Sequence, residues 1–223
     1  MKNKIPKIRD LYESKASIAY SFLLRFEYPW ELLPQINEAI MEIGETLPEN
    51  KFDILDKNIW IAKNAKVATS ASLTGPCIID EGAEIRNCAF IRGNVIVGKD
   101  AVVGNSTELK NCILFDKVQV PHYNYVGDSI LGYQAHMGAG AITSNVKSDK
   151  SLVAIKTGEA YVQTRLKKCG AFLGDFVEVG CGTVLNPGTV IGKNSIVYPV
   201  SSVRGVIDKN CIYKSSENVI EKT

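Results

Sequence analysis

The sequence predicts an all-β fold, a parallel β-helix of stacked triangular coils, preceded by a small helical segment. Three observations carry that expectation. An aliphatic residue recurs every six positions, a small residue follows each one by four, and residues 1–50 show a helical period instead. At 223 residues the chain can hold one good core with a small accessory unit.

The hexads begin at Ile61 and continue through Val67, Leu73, Ile79, Ile85, Ile91, Val97, Val103 and Leu109. Four positions after each stand Ala65, Ala71, Cys77, Ala83, Ala89, Val95, Ala101, Thr107 and Ile113, most of them small. A helix would show period 3.6 and a strand period 2. Period six suits a triangular prism: three hexads make a coil, the aliphatic residue points inward, and the small one fits a tight corner. Coils then stack by parallel strand pairing, spaced about 4.8 Å. A β-sandwich would not keep one residue class in phase for so long, because its strands alternate with period two. Gly98, Gly104, Gly127, Gly132, Gly138, Gly174, Gly180 and Gly192 follow the aliphatic position, and are expected where corners need unusual backbone angles.

The period returns at Leu173, Val179, Leu185, Ile191, Val197 and Val203. Between the blocks the register slips: Val120 and Val126 stand one residue off the first series, and Leu131 and Met137 slip once more. Residues 146–170 lack the repeat and are expected to leave the prism as a long loop. The β-helix domain is thus expected over 51–223. Ahead of it, Trp30, Leu33, Ile36, Ile40 and Ile43 fall on one helical face, with Pro29 and Pro34 at its start and Gly44 and Pro48 at its end. Residues 8–24 also read as helical. Residues 1–50 are therefore expected to be a cap or packing arm, since a stacked prism needs its open end covered.

Composition narrows the function. With 26 basic and 24 acidic residues the net charge is +2, and the basic residues are scattered rather than banked, which argues against nucleic acid. No apolar run approaches the roughly 20 residues of a membrane span. Residues 1–10 are basic with no apolar stretch behind them, unlike a signal peptide. A cytoplasmic protein is expected. The six cysteines include no C-x-x-C pair and read as buried thiols, not as a disulfide framework or zinc site.

Few residues are suited to chemistry. There are two histidines, His122 and His136. His122 lies between Pro121 and Gly127, where the strand pattern breaks, at the register slip and ahead of the long loop. Irregularity in a strict repeat is where function is expected. There is no G-x-S-x-G elbow, and no pair of carboxylates stands at a suggestive spacing. A zinc-dependent carbonic anhydrase on a similar prism would want three histidines per metal, so no metal is expected.

Three stretches carry a family resemblance: Val103-Val-Gly-Asn-Ser-Thr-Glu-Leu-Lys110, Val120-Pro-His-Tyr-Asn-Tyr-Val-Gly-Asp128 and Met137-Gly-Ala-Gly-Ala-Ile-Thr-Ser-Asn145. They resemble the acetyltransferase domain of bifunctional glucosamine-1-phosphate acetyltransferase/N-acetylglucosamine-1-phosphate uridylyltransferase, ungapped over residues 92–145. Thr164-Arg-Leu-Lys-Lys-Cys-Gly-Ala-Phe-Leu-Gly-Asp175, Leu185-Asn-Pro-Gly-Thr-Val-Ile-Gly192 and the segment from Tyr28 to Leu33 are similar to the archaeal-type sugar-1-phosphate nucleotidylyltransferase/acetyltransferases. The resemblance spans roughly residues 28–205 and implies a left-handed β-helix, a homotrimer, and acetyl-CoA as co-substrate in a groove between prisms. It implies His122 as the general base, Asn145 as the residue that positions the acceptor amine, and the Ala139 backbone N–H as oxyanion donor. Arg92, Lys110 and Tyr125 match anchors of the sugar phosphate, and Cys181 and Pro199 fall where the coenzyme lies. His136 replaces an asparagine that contacts substrate, and Val146 replaces a tyrosine. Residues 1–50 are too short for the nucleotidylyltransferase domain of those proteins.

The expected activity is acetyl transfer to an amino sugar phosphate, such as glucosamine-1-phosphate, or to a nucleotide amino sugar. The alternative is a non-catalytic hexapeptide-repeat protein that binds a nucleotide sugar or scaffolds a partner. A scaffold would have no reason to keep Arg92, Lys110, His122, Tyr125 and Asn145 together. The loop carries Lys147, Lys150, Lys156, Arg165, Lys167 and Lys168. It is expected either to bring that charge to a neighbouring prism or to be a mobile surface loop.

Overall fold

The computed structural model describes residues 5–13, 15–56, 58–158 and 160–222. Short strands stack in parallel on three faces. The first face runs from Ile59–Ala62 through Cys77–Ile79, Val95–Val97 and residues 112–114 and 130–131 to Ala171–Leu173, Thr189–Ile191 and Val206–Ile207. The second stacks Lys66–Val67, Glu84–Ile85, Val102–Asn105, Gln119–His122, His136–Met137, Glu178–Val179, Ile196–Val197 and Cys211–Ser215. The third stacks Ser72–Leu73, Phe90–Ile91, residues 108–110 and 125–127, Ile142–Thr143, Val184–Leu185 and Ser202–Val203. This is the parallel β-helix that the hexads predict.

The aliphatic series forms the interior. Ile79, Ile91, Val97, Val103 and Leu109 are fully buried, as are the small partners Ala83, Ala101 and Thr107. Ile61, Val67 and Leu73 are only half-buried: among the described residues theirs is the first coil, and only the antiparallel strand Phe52–Leu55 lies beyond it, against Ile59–Ala62.

The glycines behind the aliphatic position have a different cause from the expected one. Their φ angles are not positive; behind Gly98, Gly104, Gly132, Gly138, Gly174, Gly180 and Gly192 the left-handed residues stand two positions later, at Asp100, Ser106, Gln134, Gly140, Phe176, Gly182 and Asn194. What the glycines supply is room between coils. A Cβ on Gly104 would lie 1.5 Å from the Pro121 carbonyl oxygen in the next coil.

The register slips are shortened corners. Ile79 pairs with Val97 eighteen residues on, but Val97 pairs with Leu114, and Leu114 with Leu131, only seventeen on. The missing residue falls between Leu109 and Leu114 and again between Val126 and Leu131, where the strands Glu108–Leu114 and Tyr125–Leu131 run on across the corner. Asn111 (φ 49°) and Asp128 (φ 48°) make those turns. Short polar residues enter the left-handed region most readily after glycine.

The N-terminal segment is an arm along a side face, not a cap on the open end. It contains the helices Ile8–Leu11, Tyr20–Leu23, Pro29–Leu32 and Ile36–Gly44, with a 3-10 turn at Leu33–Gln35. The first face draws it there. That face carries a column of outward apolar residues, Trp60, Ile78, Ile96, Ile113, Ile130 and Phe172, each at most 5 % exposed under the arm. Covering such a side chain contributes roughly 1.5–3 kcal/mol. The Trp60 ring lies directly on Gly44, Trp30 meets Phe172 with ring centroids 6.2 Å apart, and Tyr12 meets Phe115 at 5.0 Å.

The excursion begins after Asn145 and ends at Cys169, whose N–H donates to the Asn145 carbonyl at 2.9 Å. It is not a structureless loop. Ala154–Thr157 and Ala160–Gln163 form an antiparallel hairpin. Its base folds back on this chain's own later coils, with Val153 and Ile155 buried against Gly188. The sequence reading missed that the alternation Val153, Ile155 gives the segment an apolar face to bury.

Candidate active site

Five successive coils meet at the corner between the second and third faces. Down this corner run Asn105, His122, Ala139, Cys181 and Pro199. Backbone bonds tie the turns together: Tyr123 N–H donates to Asn105 O, Gly140 N–H to His122 O, Gly182 N–H to Ala139 O and Val200 N–H to Cys181 O, all at 2.8–3.0 Å. Four of the residues matched from the sequence therefore form one exposed edge. The His122 imidazole is exposed and has no hydrogen-bond partner among the described residues. The N–H groups of Ala139 and Cys181 likewise donate to nothing described.

Asn124, which the sequence reading did not single out, sets the spacing of this edge. It is 3 % exposed. Its Oδ1 accepts from the His122 N–H at 3.1 Å, and its Nδ2 donates to the carbonyls of Gly138 and Ala141 at 2.8 and 3.0 Å. The His122 turn and the Ala139 turn are thus held to each other by one buried amide.

The third face adjoins this edge and carries Arg92, Lys110, Tyr125 and Asn145. Arg92 Nη1 donates to Glu108 Oε1 at 2.6 Å, leaving most of the guanidinium free. Lys110 Nζ lies 3.6 Å from Asp128 Oδ2. Asn145 Nδ2 donates to Tyr125 Oη at 3.1 Å and to Asp128 Oδ2 at 2.5 Å. The Tyr125 ring leans over Gly127, where a Cβ would lie 2.4 Å from the phenol oxygen. Burial, followed by the Asp128 carboxylate, pushes the Tyr125 phenol above its usual pKa and keeps it neutral.

His136 is placed apart from this group. It lies on the second face, three residues before the corner, with Nδ1 2.8 Å from Glu178 Oε2. Asp100, Lys117, Gln119 and Gln134 line the same shallow groove. The cysteines also differ from expectation. Cys77, Cys112 and Cys169 are buried, but Cys88 and Cys181 are exposed at corners, and all six are free thiols. Burial pushes Cys77 up to about 12, so it stays a thiol. Among the described residues no group of three or more His, Cys, Asp or Glu could hold a metal ion, and no helix is long and apolar enough to cross a membrane.

The coil architecture and this edge define a hexad-repeat β-helix with a polar face beside one exposed corner. The chain belongs to the family of the GMPPB C-terminal domain, whose model matches residues 73–204. The bifunctional protein GlmU of Methanococcus vannielii is 34 % identical over 196 residues, covering 77 % of this chain and 47 % of that protein. The bifunctional sugar-1-phosphate nucleotidylyltransferase/acetyltransferase of Sulfurisphaera tokodaii is 28 % identical over 184 residues, 71 % of this chain and 45 % of that protein. The putative uncharacterized acetyltransferase YaiX of Escherichia coli is 27 % identical over 175 residues, 72 % of this chain and 74 % of that protein. The chain thus spans about half the length of the first two relatives.

Proposed function

We propose that the protein is an acyl-CoA-dependent N-acetyltransferase that acts on an amino sugar phosphate or a nucleotide amino sugar. One observation carries this reading: a histidine and a backbone N–H without partners among the described residues, at His122 and Ala139, stand on adjacent turns beside a face bearing Arg92, Lys110, Tyr125 and Asn145. The name of the Sulfurisphaera tokodaii relative supports the same class of reaction.

In this mechanism the sugar's anionic group rests on Arg92, Lys110 and the Tyr125 hydroxyl. Arginine offers a forked set of donors and lysine a point charge. Asn145 orients the amine. The amine nitrogen attacks the thioester carbonyl of acetyl-CoA, and His122 takes the proton that the nitrogen sheds. Ala139 N–H donates to the oxyanion as it forms. The carbon–sulfur bond then breaks and CoA leaves as the thiolate, which takes up a proton. Cys181 and Pro199 continue the edge along which the coenzyme lies.

The working unit in this reading is a homotrimer. A single corner is convex, and a ligand as long as acetyl-CoA needs a concave site. Tyr123 and Val200 are 62 % and 85 % exposed on the same edge, an apolar surface suited to a neighbouring prism. Two prisms side by side form a groove, and a third closes the ring. His136 on the second face of one prism would then border the acceptor held on the third face of its neighbour. Use of acetyl-CoA fits a cytoplasmic location.

The experiment is direct. Purified protein is offered acetyl-CoA with glucosamine-1-phosphate and a panel of nucleotide amino sugars, and free CoA is measured. Acceptor-dependent release is the expected result. No release with any amino sugar, from protein shown to bind acetyl-CoA, would refute the reading.

A further inference from the structure

We propose that Asp128 is a positioning residue for the acceptor amine: it locks the Asn145 side chain in one orientation and is itself held by Asn111, which ties it to the N-terminal arm. The inference rests on the function proposed above.

Asp128 is 4 % exposed at the second shortened corner. Its Oδ1 accepts from Asn111 Nδ2 at 2.9 Å, and its Oδ2 accepts from Asn145 Nδ2 at 2.5 Å. Lys110 Nζ lies 3.6 Å away and balances the buried charge. The first shortened corner supplies Asn111, one coil earlier. Asn111 Nδ2 also donates to the Leu33 carbonyl of the arm at 3.3 Å. The relay thus runs from Leu33 through Asn111 and Asp128 to Asn145.

Its effect follows from hydrogen-bond chemistry. An ionised carboxylate only accepts, so the amide group facing it must be the NH2 end. Asn145 gives Nδ2 to Asp128 and to Tyr125 Oη together. Both amide hydrogens are directed into the protein, and Oδ1 keeps no partner among the described residues. That oxygen is then free to accept one N–H of the acceptor amine. Accepting an N–H leaves the nitrogen lone pair available for attack. If the amide flipped, it would present donors to the amine and compete for that lone pair. The two ends of an amide are nearly the same shape, so sterics alone do not prevent a flip. Asp128 does so by charge.

The test is Asp128→Asn in the full chain. The new carboxamide has one oxygen where the carboxylate had two, so it cannot accept from Asn111 and Asn145 both. The expected result is a 10–100-fold fall in kcat, roughly the scale for a misplaced reacting group, with the KM for acetyl-CoA unchanged. The exchange of the Asn145 side-chain amide hydrogens, followed by NMR on 15N-labelled protein, should accelerate at least about tenfold once the charged acceptor is gone. The double variant Asn111→Asp/Asp128→Asn reverses the polarity of the bond between positions 111 and 128 and gives up the bond to the Leu33 carbonyl, to which a carboxylate cannot donate. The amide at position 128 can then donate to the new carboxylate and accept from Asn145, so at least about tenfold of the lost kcat should return, because coupled neighbours are non-additive.

Unchanged kcat and unchanged amide exchange in Asp128→Asn would overturn the inference. If the unmodified protein transfers no acyl group, the function reading falls by itself. The amide exchange then still decides whether Asp128 holds Asn145.

Discussion

Gly104→Ala separates two reasons for a glycine in a repeat. The added Cβ would stand 1.5 Å from the Pro121 carbonyl oxygen and 2.0 Å from its carbon, both backbone atoms of the next coil. Neither can swing aside as a side-chain tip could, so the coils must part locally. Overpacking of this kind costs about 3 kcal/mol, the upper part of its usual range. Relief in the unfolded chain offsets only about 0.4–1 kcal/mol of that. The net cost is then about 2–2.6 kcal/mol; for a chain of this size each kcal/mol moves Tm by about 2–4 °C, so a fall of about 4–10 °C is expected. The comparison is Gly158→Ala at the hairpin tip, where φ is 58° and nothing lies within 4 Å of a new Cβ. There only the backbone angle opposes the change, at about 1 kcal/mol, and the unfolded-state term cancels most of it. Both variants are melted by circular dichroism at one protein concentration, because assembly would make Tm concentration-dependent. A Gly104→Ala loss no larger than that of Gly158→Ala would refute the close-approach account.

Four further outcomes follow. His122→Ala should lower turnover at least about 100-fold with the fold intact by circular dichroism, the scale for a lost general base; near-normal kcat would remove His122 from that role. Arg92→Ala should raise the acceptor KM more than the acetyl-CoA KM, and calorimetry showing weakened coenzyme instead would reassign it. Trp60→Ala should cost about 3–5 kcal/mol and loosen the arm, seen as faster proteolysis within residues 5–47; an unchanged digestion pattern would contradict the packing described. Asp80 supplies a pH prediction. Burial raises its carboxyl to about 6, and its Oδ2 has no hydrogen-bond partner among the described residues. Since the folded pKa lies above the unfolded one, folding is favoured below the unfolded value and that gain is lost as pH rises through about 6. Urea titrations should show a contribution of up to about 3 kcal/mol between pH 4 and 8, and Asp80→Asn should remove it.

The prism was legible because its interior accepts one residue class in one phase, and Ile79 through Leu109 obey that rule without interruption. The arm's position was not. Ile78, Ile96, Ile113 and Ile130 stand beside the inward residues and read as part of the same aliphatic runs, and only the stacking shows that they point outward. The glycines were visible, but close approach and backbone freedom select the same residue, so the sequence could not separate them. His122, Ala139, Cys181 and Pro199 could be named from a resemblance; that they form one edge follows only from the coil length. Asp128 and Asn111 had a signal that went unread. They are the residues at which the hexad loses a member, and the slip itself marked them.

The spacing of contacts along the chain bears on how the protein acquires its structure. Each coil rests on a strand only 16 to 18 residues away, as in Ile79 with Val97, Val97 with Leu114 and Ile191 with Ile207. Such nearly local pairing closes small loops and favours quick formation for an all-β chain. At one place the ladder must span 42 residues, from Leu131 to Leu173 across the hairpin. Stacked arrays can begin at any unit and spread to their neighbours. The coils before the hairpin and those after it therefore form two growth segments, and the slow event is their joining. That joint lies where Asn145 O meets Cys169 N–H, so the last seam to close during folding runs through the residue proposed to hold the substrate.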